Sequence, residues 1–157
     1  MGGAPKGAAE IAAEIERAFA ERPEAPALSL RGGAALDVYD VPPPFDPTLD
    51  APTEEYLERC CSGLMHVDAD SWLYYLPLVL RLALARAALP GDALVEAVVW
   101  TLRPPDRDPP RLGRLGAAQE AAVVAVLEHL AFSPESRHQD LALQVLEEYW
   151  IPGALYR

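Results

Sequence analysis

Apolar residues recur every three or four positions through much of this chain, which is helical spacing. Ile11, Ile15, Ala18 and Phe19 form one stripe and Glu10, Glu14, Arg17 and Glu21 the remaining surface, predicting a helix over Ala8–Arg22 that Pro23 and Pro26 end. Residues 28–40 carry Gly32-Gly33 at their centre and leave a brief helix and a short strand pair both open. Five prolines between Val41 and Pro52 predict an extended surface loop. Thr53 is placed to cap a helix running to Cys61, with Glu54 and Glu55 where the helix dipole favours acids and Gly63 as its stop. Asp68 is a second cap, opening a segment with Trp72, Tyr74 and Tyr75 that Pro77 either kinks or restarts.

Leu78–Leu89 is apolar on most sides and predicts the core element, against which the last two helices dock. Asp92 caps Ala93–Leu102, with Leu94, Val95, Val98 and Val99 inward. A second loop, Arg103–Arg114, has four arginines and four prolines. Gly116 with Gln119 resembles half a capping box before Ala117–Phe132, and Ser133-Pro134-Glu135 reads as the start of a last helix with Leu141, Ala142, Val145, Leu146 and Tyr149 inside. The sum is a mainly α, single compact domain over residues 1–157, with five or six helices and Pro-rich surface loops. Residues 1–7 and 151–157 are expected as loose tails.

Composition narrows the function. Hydrophobic residues are 51% and charged residues 24% of 157, which are globular values, and a core is attainable at this length without metal or disulfide. Thirteen bases against 24 acids give a net charge of −11, which excludes binding to nucleic acid or to a membrane by bulk charge. The first thirty residues lack the apolar run of a secretory signal. Arg81 and Arg86 interrupt the most apolar window, and a central Arg costs about 2.5–3.5 kcal/mol in a bilayer, so the window reads as a core helix. Each of these arginines requires a carboxylate or a route to water. Cys60 and Cys61 are adjacent, which disfavours a bridge between them and fits a reducing cytoplasm.

Four stretches in order, Ile11-x-x-x-Ile15 to Phe19, Trp72-Leu73-Tyr74-Tyr75-Leu76-Pro77, Leu115-x-x-x-Gln119 into Val126-Leu127-Glu128-His129-Leu130, and Glu148-Tyr149-Trp150, resemble an uncharacterised family of small bacterial proteins with an aromatic-Tyr-Leu-Pro core segment. The resemblance spans Ile11 to Trp150. It implies a compact, bacterial, cytosolic domain and brings no activity, cofactor or catalytic residue.

Charge asymmetry points to recognition. Residues 1–70 hold fourteen acids and five bases, net −9, whereas residues 71–157 hold ten and eight, net −2. An acidic field speeds encounter with a basic partner. The leading expectation is therefore a non-enzymatic interaction module, immunity- or inhibitor-like, that meets a basic protein surface through Asp46, Asp50, Glu54, Glu55 and Glu58. The first alternative is a divalent-metal-binding or enzymatic domain using His66, Asp68 and Asp70, although the spacing is not that of a calcium loop. The second is a homo-oligomer subunit whose Tyr149, Trp150, Ile151 and Leu155 tail packs on a copy of itself. His129 and His138 are expected as packing residues. No cofactor motif occurs in the sequence.

Overall fold

The computed structural model describes residues 5–157. The expected tail over residues 1–7 falls partly on residues 1–4, which lie outside that range. Among the described residues there are seven α-helices and no strand: α1 (Ala8–Ala18), α2 (Leu30–Asp37), α3 (Glu54–Arg59), α4 (Ala69–Ala85), α5 (Ala93–Thr101), α6 (Ala117–Phe132) and α7 (Gln139–Val145). A 3-10 turn over Cys61–Met65 follows α3, and a π-helical turn over Leu146–Trp150 follows α7. No helix among them is long and apolar enough to cross a membrane.

The core is built around α4, which packs against α1, α5 and α6, while α7 packs on α6 and α5. Trp72, Tyr75, Leu76, Val79, Leu80 and Ala83 of α4 are all buried, as are Ile11 and Ile15 of α1 and Val123, Val126, Leu127 and Leu130 of α6. Side-chain caps start four helices where short polar residues permit it. Ser29, Thr53, Asp68 and Asp92 each accept an amide hydrogen three residues on, a bond worth about 1 kcal/mol. Gly116 has no side chain to contribute, so at α6 only the reverse bond forms, its amide donating to Gln119 Oε1 at 3.0 Å.

Several expected boundaries move. The first helix stops at Ala18, short of Arg22, whose Nη1 donates to the Tyr74 carbonyl at 2.7 Å. The strand pair open for residues 28–40 is helix α2. Its glycines are there for close approach: a Cβ on Gly33 would strike the Gly63 backbone, and one on Gly63 would strike Leu30 and Ala34. For the same reason Gly63 sits inside the 3-10 turn instead of ending a helix. Pro77 lies inside a continuous α4. The last helix begins at Gln139, not at Ser133, because the intervening turn is pinned to the end of α4: the Arg137 amide donates to the Ala87 carbonyl at 2.8 Å, and His138 Nε2 lies 2.8 Å from the Leu89 carbonyl.

The C-terminal end is also corrected. Tyr149 and Trp150 are buried, and Trp150 Nε1 donates to the Leu102 carbonyl at 2.9 Å. Residues 151–157 are mostly exposed but tethered, through the Tyr156 amide on the Glu148 carbonyl at 2.9 Å and the Arg157–Glu120 ion pair. The self-association tail thereby loses its two largest residues to the core.

Candidate functional site

The five expected contact acids divide sharply by environment. Asp50 is 1% exposed. Its carboxylate takes two bonds from the Arg31 guanidinium, at 2.9 and 3.0 Å, the Tyr56 hydroxyl at 2.8 Å and the Asp46 amide at 2.8 Å. Burial pushes the Asp50 carboxyl up, but these donors outweigh it and hold the group below its ordinary 3.8. Desolvation raises the Tyr56 phenol, so it stays a donor. Asp50 is thus a structural anchor, which corrects its assignment to a contact surface: a buried carboxylate needs donors of its own and has no lone pair facing outward.

Asp46 is half-buried and turns its own loop, accepting from the Thr48 and Leu49 amides. Glu54 and Glu58 converge on Arg86 at 3.0 and 3.1 Å, with Asp92 on the opposite nitrogen at 3.0 Å. The predicted need of Arg86 for carboxylates is met three times over. Arg81 meets its own need at the surface, 3.6 Å from Glu16. Glu55, the most exposed, is 3.7 Å from Arg59.

Pairing of this kind evens out the charge. Among the described residues, eleven of the 24 acids share an ion pair; of the thirteen that share none there, six lie in residues 1–70 and seven beyond. Arg81, Arg86 and Arg114, which belong to residues 71–157, offset three of the nine surplus charges of the first half.

The three candidate metal ligands point to different partners. His66 Nε2 lies 2.8 Å from Asp37 Oδ1, Asp68 caps α4 through Ser71, and Asp70 pairs with Arg114. Among the described residues no group of three or more His, Cys, Asp or Glu is arranged to hold a metal ion. Cys60 is buried and Cys61 half-buried, both free thiols, and desolvation raises both.

What sequence reasoning missed is the apolar character of the strap between α2 and α3. Leu36 at the end of α2, with Val38, Tyr39, Val41 and Leu49 after it, makes five of the twelve large hydrophobic residues exposed among the described residues, and Tyr39 is 100% exposed. Tyr39 also has φ 60°, the left-handed region that a bulky residue enters at a cost of about 1–2 kcal/mol. Asp37 and Asp40 are exposed between these residues. The strap is held in place from beneath, since Arg31 Nη2 donates to the Pro44 carbonyl at 3.3 Å while gripping Asp50. A signal was present: Val38-Tyr39-Asp40-Val41 continues past the end of α2 into prolines, with no helical stripe to receive its apolar side chains.

The Arg103–Arg114 loop is the second surprise. Arg103 is bound by both oxygens of Glu148, at 2.9 and 2.6 Å, and Arg114 meets Asp70. Arg111, expected in a solvated loop, is 3% exposed. Asp106 organises this loop by accepting four amides, from Arg107, Arg111, Leu112 and Gly113. Burial raises its carboxyl but these bonds bring it below the ordinary value.

A family model described as "Family of unknown function (DUF6714)" matches residues 7–154. No curated protein and no solved structure matches the chain.

Proposed function

The chain belongs to that family of unknown function, so no activity comes with membership, and we propose from its surface that it is a non-enzymatic protein-binding module whose contact element is the strap Leu36–Leu49. The observation that carries this reading is Tyr39, wholly exposed in strained backbone on an anchored loop with Val38, Val41 and Leu49 exposed beside it. Strain that gives a residue no packing in the free molecule is consistent with an interaction made elsewhere. Aromatic residues with aliphatic neighbours are the usual anchors of protein interfaces.

The fitting partner has an apolar recess with basic residues at its rim, to receive Tyr39 and face Asp37 and Asp40. An immunity- or inhibitor-like role toward a basic effector is one concrete version, in which the net charge of −11 speeds encounter and the strap supplies affinity. We place this activity in a bacterial cytosol, on the family resemblance and the two adjacent free thiols.

The test is photo-crosslinking in the native cell, with a benzophenone side chain at position 39 and, as control, at Phe132, which is 62% exposed on α6. The expected result is a discrete adduct from position 39 only. No adduct at position 39, or the same adducts from both positions, overturns the reading.

A further inference from the structure

A cleft of about 540 Å³ opens between the end of α5 and the Arg103–Arg114 loop, far in sequence from the strap and independent of it. Its volume falls in the range of small-molecule sites. Arg111, Arg107 and Trp100 line it, with Pro104 and Pro105 beside them. In a protein of net charge −11 this is a local excess of positive charge: with Arg103 neutralised by Glu148, the lining still holds Arg107 and Arg111 against the single acid Asp106.

The decisive feature is Arg111. Its guanidinium is buried and lies 5.8 Å from the Trp72 ring centre, yet no carboxylate among the described residues comes within ion-pair distance. Its Nη2 donates only to backbone carbonyls, of Val67 and, at 3.5 Å, of Met65. Compare Arg31, Arg86 and Arg103, each of which grips at least one carboxylate. Desolvation, with Arg107 nearby, pushes Arg111 down to about 10, whereas those three are raised by their carboxylate partners. A buried charge without a counter-charge is costly and is retained where something completes it. The one acid in the cleft is not free to do so, because Asp106 commits both oxygens to four loop amides.

Arg107 is exposed and forms no ion pair among the described residues, so a second guanidinium is available at the mouth. Trp100 is 48% exposed, and Arg103 lies over its ring, 4.4 Å from the centre. The indole and the two prolines make an apolar wall beside the charged floor.

We propose that this cleft binds a small organic oxyanion, its carboxylate or phosphate head on Arg111 and Arg107 and its planar apolar body against Trp100. Guanidinium groups fit both heads through paired N–H donors.

The full chain is titrated by calorimetry with benzoate, phenyl phosphate and inorganic phosphate, and with benzyl alcohol as the uncharged analogue, while tryptophan fluorescence is followed. At least one anion is expected to saturate at one per chain and benzyl alcohol is not. Arg107→Gln weakens that binding at least about tenfold, the effect of losing one charged hydrogen bond. Trp100→Phe reduces the fluorescence change, leaving the part that comes from Trp72 beside Arg111, while the heat remains. Both variants alter exposed residues and leave the core intact. Saturation by benzoate alone assigns a carboxylate head and by the phosphates alone a phosphate head. The proposal is overturned by no saturation with any of the three anions, by binding that Arg107→Gln leaves unchanged, or by a fluorescence change that Trp100→Phe leaves undiminished.

Discussion

Tyr39 and Asp50 sit eleven positions apart and represent opposite uses of a polar segment. Tyr39 contributes no packing, so replacing it removes nothing from the core, and Gly accepts φ 60° without penalty. Tyr39→Gly is therefore expected to leave thermal stability equal or up to about 1 kcal/mol higher while abolishing partner capture. A clear drop in melting temperature would show that the ring packs on the free protein after all. Asp50→Asn acts the other way. It removes the counter-charge of Arg31 and loosens the strap, costing about 3 kcal/mol in a denaturant titration. The pH dependence has a definite sign. Asp50, Asp106 and Glu148 have native values below their ordinary 3.8–4.5, so the stability they add is present above that range and lost as pH falls from it through the lower native values. Wild type should weaken steeply below pH 4.5, and Asp50→Asn should flatten part of that slope. The sequence marks Asp50 as an acid in a Pro-rich loop, but its burial depends on Arg31 and Tyr56 folding over it, which local spacing does not encode.

Elements were legible where a cap and a stripe agree. Asp68, Asp92 and Thr53 begin helices as their side chains predict, and the buried stripes of α1, α5 and α6 follow the 3.6-residue period. Two elements misled because their signals have a second physical meaning. Gly32-Gly33 looks like a turn, yet here the bare Gly33 lets α2 meet Gly63 of the 3-10 turn backbone to backbone, while a Cβ on Gly32 would strike the Leu28 side chain. Gly63→Ala should accordingly cost about 1–3 kcal/mol, more than a surface glycine such as Gly113 whose added Cβ meets only a side chain. Ser133-Pro134 has the composition of a helix start, but the Arg137 and His138 contacts to the end of α4 delay the helix to Gln139. Between elements, Arg86 ties both ends of α3 to the start of α5 through Glu54, Glu58 and Asp92. Arg86→Met leaves three carboxylates facing one another and should lower stability by about 1.5–3 kcal/mol in a denaturant titration at neutral pH.

At the scale of the molecule, net charge was readable and its arrangement was not. The acids of the first half are paired by Arg31, Arg59, Arg81 and Arg86, which the linear count places partly in the other half. What remains is an evenly acidic body with an exposed apolar strap at one place and an arginine-floored cleft at another. Salt should therefore slow association with a basic partner without abolishing the complex, because screening acts on the long-range field and not on the buried contact of Tyr39. The most direct test of the strap as the recognition element is amide hydrogen exchange on the chain alone and on the captured complex. New protection confined to residues 36–49 is the predicted result, and protection elsewhere with the strap unchanged would contradict it.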